Sequence, residues 1–320
     1  MYGRGTSDDK AGVIVHAGAI RALGGNPPVG VKVIVEGEEE IGSAHLGKFL
    51  ETYQDELAAD VIVILDAGNW AVGVPTLTTS LRGLVDCTVE VRTLKYAVHS
   101  GGFGGAIPAA ITTLARLLAT LHDENGEVTV AGLLATDDIE LDLTEEELRA
   151  QAESVASLEL LGGGSITSRL WTKPAISVLA IDAPPVSEAI NQLVPVASAK
   201  VSMRIAPGDD PSQAIDALVA HLESHVEWGA EVSVTPGALG EAFALDTSGH
   251  AFDVFRDAFA EAWGKDTVEM GVGGSIPFVA DFSKRYPDAT ILLTGVADPT
   301  SRAHGPNESQ DLGELRNGVL

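Results

Sequence analysis

The sequence predicts an α/β protein in which a domain built on a mostly parallel sheet is interrupted by a smaller α+β domain. Three features of the pattern carry that expectation. Helical and strand signals alternate through the first 79 residues, as they do in chains that build parallel sheets. Near Thr76 the style changes to strands of alternating polarity, the mark of antiparallel sheets with one solvated face. From about Ala242 the first style returns. The expected boundaries are 1–79 and 241–320 for the two parts of the discontinuous domain, with 80–240 inserted between them.

Each element has its own signal. Val13, Ala17 and Ile20 place a helix over 10–23, and Gly24-Gly25-Asn26-Pro27-Pro28 stops it. The β-branched run that follows predicts a strand over 29–35, then a helix over 44–57. Val61-Ile62-Val63-Ile64-Leu65 is continuously apolar, as a strand covered on both faces is. In the middle of the chain, 84–91 alternates and 106–121 is a long apolar helix. A charged helix over 144–161 opens with the capping-box pair Thr144 and Glu147, and Gly162-Gly163-Gly164 breaks it. Strands are expected over 196–205 and 231–235, separated by a helix over 211–222 with Pro211 at its first turn. The closing part carries a helix over 250–263, a glycine-rich turn over 271–275 and an apolar strand over 290–293.

Composition bounds the function. With 45% hydrophobic residues and Gly at 35, the 320-residue chain has the makings of a packed core. A net charge of −26 repels phosphate, so nucleic acid and anionic membranes are excluded as partners. No stretch approaches the ~18 apolar residues of a membrane span, and no signal-peptide pattern is present. The lone cysteine, Cys87, allows no internal disulfide and fits a cytoplasmic protein.

The candidate chemistry lies in carboxylates at element ends, where open α/β sheets place their sites. Glu36, Glu38, Glu39 and Glu40 follow the strand expected over 29–35, Asp66 follows the apolar strand, and Asp8 and Asp9 precede the first helix. Carboxylates gathered at one point repel unless a cation neutralises them, and carboxylate with histidine is a ligand set for zinc or a similar ion. The same residues also fit plainer roles: Asp8 and Asp9 as helix caps, the glutamates as a solvated loop, Asp66 as a turn cap. No strand-GxxxxGK[ST]-helix arrangement and no G-x-S-x-G elbow is present, which disfavours a phosphate loop and a serine hydrolase.

Longer segments decide among these. Tyr2-Gly3-Arg4-Gly5-Thr6-Ser7-Asp8-Asp9-Lys10-Ala11-Gly12, Glu36-Gly37-Glu38-Glu39-Glu40-Ile41-Gly42-Ser43, Leu65-Asp66 and His99-Ser100-Gly101-Gly102-Phe103-Gly104-Gly105 are followed by Val201-Ser202-Met203-Arg204-Ile205-Ala206-Pro207-Gly208. Gly273-Gly274-Ser275-Ile276-Pro277 and Ala303-His304-Gly305-Pro306-Asn307-Glu308 complete the series. In this order the segments resemble metallopeptidase family 20 of clan MH, dizinc hydrolases of the carnosinase, aminoacylase and glutamate-carboxypeptidase type. The resemblance implies a zinc-peptidase catalytic domain interrupted by a ferredoxin-like lid and dimerisation domain. It implies that Asp8 bridges two Zn²⁺ ions, with Mn²⁺ or Co²⁺ as substitutes, that Glu40 and His304 complete one site and that Asp66 serves the other. Glu39 would be the general base, taking a proton from metal-bound water and passing it to the leaving amine. His99 would reach a partner's active site in a homodimer, Arg204 would bind the substrate carboxylate, and Gly273, Gly274 and Ser275 would line the pocket.

Two departures from the pattern stand out. The family's H-x-D motif precedes its YGRG segment, and no His-x-Asp occurs in this chain. The expectation is therefore a chain that begins after the first metal ligand, with an incomplete second site and apolar surface left uncovered. Relatives often carry Asp two residues before the lid histidine, where this chain has Ala97. The expected substrate is a small peptide, as for a dipeptidase or carboxypeptidase. An N-acyl amino acid (for a deacylase or desuccinylase) and a catalytically inactive dimerising fragment are the alternatives.

Overall fold

A computed structural model describes residues 1–137, 139–274 and 276–320. Helix α1, Lys10–Ala22, forms where the periodicity places it, and the Asp9 side chain caps it by accepting the Gly12 N–H at 3.0 Å. The segment 29–35 corrects the sequence reading. Val29, Val31, Val33 and Val35 are exposed, and 29–35 is not in a strand. β-Branched residues favour extended backbone, but a strand exists only through a ladder with a neighbour, and no such ladder to this segment occurs among the described residues. A single 3₁₀ turn, Glu39–Ile41, follows and ends on Gly42 at φ 91°. The helix expected over 44–57 divides at Tyr53 into α2, Leu46–Thr52, and α3, Gln54–Leu57.

Strand β1, Val61–Leu65, occupies its expected place, but of its side chains only Ile64 is fully buried. Strands β2, Thr76–Leu81, and β3, Gly83–Arg92, come next, then β4, Val98–His99, with the single turn α4, Ser100–Phe103. Helix α5, Ala110–Ala119, starts later than expected because Pro108 disfavours helical backbone at Ile107. Helix α6, Glu145–Ala152, has the capping box in full: Glu147 N–H donates to Thr144 Oγ1 and Thr144 N–H to Glu147 Oε2. It stops short of Leu161 because Glu153 turns left-handed, φ 49°. Helix α7, Ile166–Trp171, and strand β5, Ala175–Asp182, had no clear sequence signal. After β6, Gln192–Leu193, come β7, Val196–Ile205, α8, Pro211–His225, β8, Glu231–Gly240, and β9, Phe243–Ala244. Helix α9, His250–Trp263, β10, Val268–Val272, α10, Pro277–Arg285, β11, Thr290–Thr294, and α11, Leu312–Val319, complete the order.

The antiparallel sheet has the order β5-β7-β3-β8, and α5 and α8 pack on it. The chain order β3-α5-β5-β7-α8-β8 is the ferredoxin-like arrangement. Val85, Cys87, Val89 and Val91 of β3 meet Val201 and Met203 of β7 and Leu114, Leu218 and Leu222 of the helices in one core. Parallel pairing is divided between two short sheets, β1-β11 and β10-β2-β9, the last strand antiparallel. Thr294 Oγ1 donates to Thr76 O at 2.7 Å and ties them together. Alternate residues of β11 serve opposite cores: Ile291 and Leu293 join Leu50, Val279 and Phe282, while Leu292 joins Leu77 and Phe252. No helix among the described residues is long and apolar enough to cross a membrane.

Candidate metal centre

The acidic residues divide by partner. Glu38 is turned away, its carboxylate 2.8 Å from His45 Nδ1, and Glu36 accepts the Glu38 N–H at 2.9 Å. Asp9 is spent on the α1 cap. Asp8, Glu40 and His304 converge, with candidate ligand atoms all within 4.8 Å of one another. His304 Nε2 lies 2.9 Å from Asp8 Oδ2 and 3.0 Å from Glu40 Oε2. Asp8 comes from the loop before α1, Glu40 from the 3₁₀ turn, and His304 from the loop after β11. That last loop is held in left-handed backbone at Arg302, His304 and Asn307, with φ 54°, 61° and 61°. Non-glycine residues adopt this conformation at a cost, and such residues gather where a site dictates the chain path.

Electrostatics around the cluster is frustrated. Burial, then the neighbouring Asp9, Glu39, Asp8 and Glu40, push Asp66 up to about 8. Burial raises Asp9 to about 7, against the Gly12 N–H, which lowers it, and with Asp8 adding to the rise. Asp8 and Glu39 are raised as well, first by burial and then by Glu40, with His304 opposing. Negative groups this closely grouped call for a positive charge. Two carboxylates and an imidazole nitrogen drawn to one point are a donor set that zinc or a similar divalent ion accepts, so the residues fit the metal. Asp66 and Glu39 line the same groove as Asp8 and Glu40, a space of about 820 Å³ whose other walls include Val13, Val33 and Phe282.

The other expected site residues are placed elsewhere. His99 ends β4, is exposed, and accepts the Gly101 N–H at 3.0 Å through Nδ1. Arg204 lies on β7 opposite Leu84, half-buried, its pKa lowered by burial. Gly273 follows β10 in a tight approach: a Cβ there would lie 2.9 Å from both Arg82 Nη2 and Leu170 O. Gly274 is next to it with space around it, and Ser275 lies outside the described residues.

Sequence reasoning missed three buried charged residues. Arg82 is almost fully buried, donates from Nε to Gly273 O at 3.2 Å and from Nη1 to Arg169 O at 3.2 Å, and has its pKa lowered to about 10 by burial and then by Arg204. Glu314 is buried and accepts from Asn69 Nδ2, Gly73 N–H and Trp263 Nε1 at 2.6, 2.6 and 2.9 Å. Glu308 is buried against residues 4–8. Burial alone would raise its pKa, but the N–H groups of Ser7, Gly5 and Asp8 and then Arg4 bring it down to about 2. Only the fold brings these partners together. In the sequence Glu308 stands within the Ala303–Glu308 segment and Arg82 between Leu81 and Gly83, with nothing beside either to name a partner.

Known proteins resemble the chain in sequence and in fold. A cysteinylglycine-S-conjugate dipeptidase of Corynebacterium striatum is 37% identical over 326 residues, covering 100% of this chain and 72% of the relative. The solved structure of the di-peptidase Dug1p from Saccharomyces cerevisiae superposes with a TM-score of 0.83 at 23% identity, over 100% of this chain and 70% of the other. Human carnosine dipeptidase 1 superposes with a TM-score of 0.78 at 25% identity, over 99% of this chain and 71% of the other. The profile of peptidase family M20/M25/M40 matches residues 1–320, and the chain belongs to that family.

Proposed function

We propose that this chain is a metal-dependent dipeptidase whose centre is Asp8, Glu40 and His304. The observation that carries the reading is the convergence of those groups from three distant parts of the chain. They would hold one divalent cation, zinc in this reading, with Mn²⁺ or Co²⁺ as substitutes. Asp8 and Asp66 would offer carboxylates to a second ion. Asp8, Glu40 and His304 form the one cluster of at least three candidate ligands found among the described residues. When bound, a metal of this kind lowers the pKa of water toward about 7 and polarises an amide carbonyl.

The chain's own residues do the rest. Glu39, whose proton affinity is raised by burial and then by Glu40 and Asp8, takes the proton of the attacking water and delivers it to the leaving nitrogen. Arg204 meets the peptide's carboxylate with a planar pair of donors. Gly273 and Gly274 allow the peptide close to the backbone, with Arg82 fixing the Gly273 carbonyl. Residues 80–240 form the lid between catalytic parts 1–79 and 241–320. Through it two copies pair, bringing His99 to the partner's site. The dipeptide substrate is favoured by the likeness to the Corynebacterium striatum enzyme, and a cytoplasmic setting fits the lone, buried Cys87 thiol.

The test joins metal content to hydrolysis. Mass spectrometry of the purified protein is expected to find about one tightly held zinc per chain, lost in Glu40→Ala and in His304→Ala. Against a panel of dipeptides and N-acyl amino acids, Glu39→Gln is expected to keep the metal and lower turnover by roughly 10²–10⁴-fold. Metal retained in both ligand variants, or full turnover in Glu39→Gln, would overturn the reading. Cleavage of N-acyl amino acids in preference to dipeptides would move the substrate class and leave the metal centre standing.

A further inference from the structure

A carboxylate taken out of water is costly unless donors meet its lone pairs. The Glu308 side chain has 0% exposure, and its donors come from one short run of chain 300 and more residues away in sequence. Oε2 accepts the Gly5 N–H at 2.9 Å and a guanidinium N–H of Arg4. Oε1 accepts the Ser7 N–H at 3.0 Å and the Asp8 N–H at 3.1 Å. The backbone continues the attachment: Gly3 N–H donates to Glu308 O at 2.9 Å, and Tyr2 bridges Ser309. Gly5, at φ 70°, allows the tight path that points these N–H groups at one side chain.

Asp8 stands at the end of this run, with its own N–H in the clamp and its carboxylate 2.9 Å from His304 Nε2. His304 and Glu308 share one loop, closed by Ser309 N–H to Ser301 O at 2.9 Å. One loop therefore carries an imidazole of the centre and holds the backbone beneath the opposing carboxylate. We infer that Glu308 is the positioning residue of the metal centre: its buried carboxylate fixes residues 5–8 and so sets Asp8 against His304. It touches neither substrate nor metal. Arg4 is the minor partner, because its side chain is 61% exposed and an exposed guanidinium is screened by solvent. The inference rests on Asp8 and His304 being ligands, as proposed above.

The experiment is calorimetric titration of the metal-free protein with Zn²⁺ alone. The unaltered chain is compared with Glu308→Ala, Glu308→Gln, Arg4→Ala, His304→Ala and Leu218→Ala. The last removes core volume in α8, among residues of the antiparallel sheet, and reports what lost stability alone does. Glu308→Ala is expected to weaken Zn²⁺ binding roughly 10–100-fold, the range for groups that orient a ligand. Arg4→Ala should weaken it by less than about fivefold. A second readout needs no metal. In Glu308→Gln the amide nitrogen must replace one acceptor oxygen, so hydrogen exchange should quicken at Gly5 or at Ser7 and Asp8, while β3 stays protected.

Zn²⁺ affinity in Glu308→Ala within twofold of the unaltered chain, or reduced only as far as in Leu218→Ala, overturns the inference and leaves the centre intact. If His304→Ala also binds Zn²⁺ normally, the centre itself is misassigned and the inference falls with it. Should Glu308→Ala not fold, Glu308→Gln decides: unchanged exchange at Gly5, Ser7 and Asp8 overturns the role.

Discussion

The antiparallel sheet and the acidic centre are held together by different forces. In the sheet, β3 is paired on both edges, and Val85, Cys87, Val89 and Val91 are each 0% exposed beneath α5 and α8. Around the centre, β1 is paired only with β11 among the described residues, and Val29, Val33 and Val35 are 69%, 57% and 66% exposed. Hydrophobic burial organises the first region. In the second, the buried carboxylate of Glu308 gathers the backbone donors of Gly5, Ser7 and Asp8, and a cation would restore the charge balance. Stability and metal binding should therefore be separable by mutation.

The largest effect that sharpens this contrast is on the packed side. Leu218 has no exposure and sits in the α8 face of the core. Leu218→Ala should cost about 2–5 kcal/mol of stability, read by chemical denaturation, because the cavity collapses only in part. Its Zn²⁺ affinity at a temperature where the chain is folded should stay unchanged. A parallel loss of both would break the separation and mean that the two regions fold as a single unit.

What was legible in the sequence follows the same division. Strand β7 was placed over 196–205 residue for residue, because its alternation is enforced by a partner on each edge, β5 and β3. Helix α9 was placed residue for residue, since Phe252, Phe255 and Phe259 of its apolar face meet a core. Helix α1 was placed within a residue, but Val13, Ala17 and Ile20, which marked it, line the open groove, and it is Ala11 and Val15 that meet the core. The strand expected over 29–35 failed because propensity cannot supply a neighbour. At the centre, Asp8, Glu40 and His304 were named through motif resemblance and do converge. Glu308 lay in one of those motifs without a role, because its partners are 300 and more residues away and its burial depends on the folded path of residues 2–8. Arg82 and Glu314 were passed over for the same reason: a buried charge is recognised by its donors and acceptors, which the linear sequence does not pair.

A smaller effect concerns pH in the metal-free protein. Asp66 and Asp9 have folded-state pKa values of about 8 and about 7, above their ordinary 3.8. An acid whose pKa is raised by folding contributes stability while it is protonated and withdraws it as it ionises. The metal-free chain should therefore lose thermal stability as pH rises from about 4 to 8, in proportion to these two groups. Glu308 acts in the opposite sense, its contribution present above its ordinary 4.5 and lost as pH falls toward about 2. Thermal melts across this range, with and without Zn²⁺, read both limbs. Asp66→Asn should flatten the alkaline limb of the metal-free protein, and saturating Zn²⁺ should do the same in the unaltered chain. An alkaline limb equally steep in Asp66→Asn would mean that the acidic cluster is relaxed and that no cation is needed to relieve it.

The smallest effect compares one substitution at two places. Val89, with no exposure at the centre of β3, loses packing on both sides when cut to alanine, and Val89→Ala should cost about 2 kcal/mol. Val33, in the unpaired segment that borders the groove, is 57% exposed, and Val33→Ala should change stability by no more than about 0.5 kcal/mol. The residue type is the same, so the difference isolates what a partner strand and a covering helix add to a β-branched side chain. Hydrogen exchange supplies the backbone half of the comparison, with slow amides through β3 and fast ones at 29–35. A Val33→Ala cost equal to that of Val89→Ala would show that the segment is covered in solution, and that the groove beside the acidic centre has an apolar occupant.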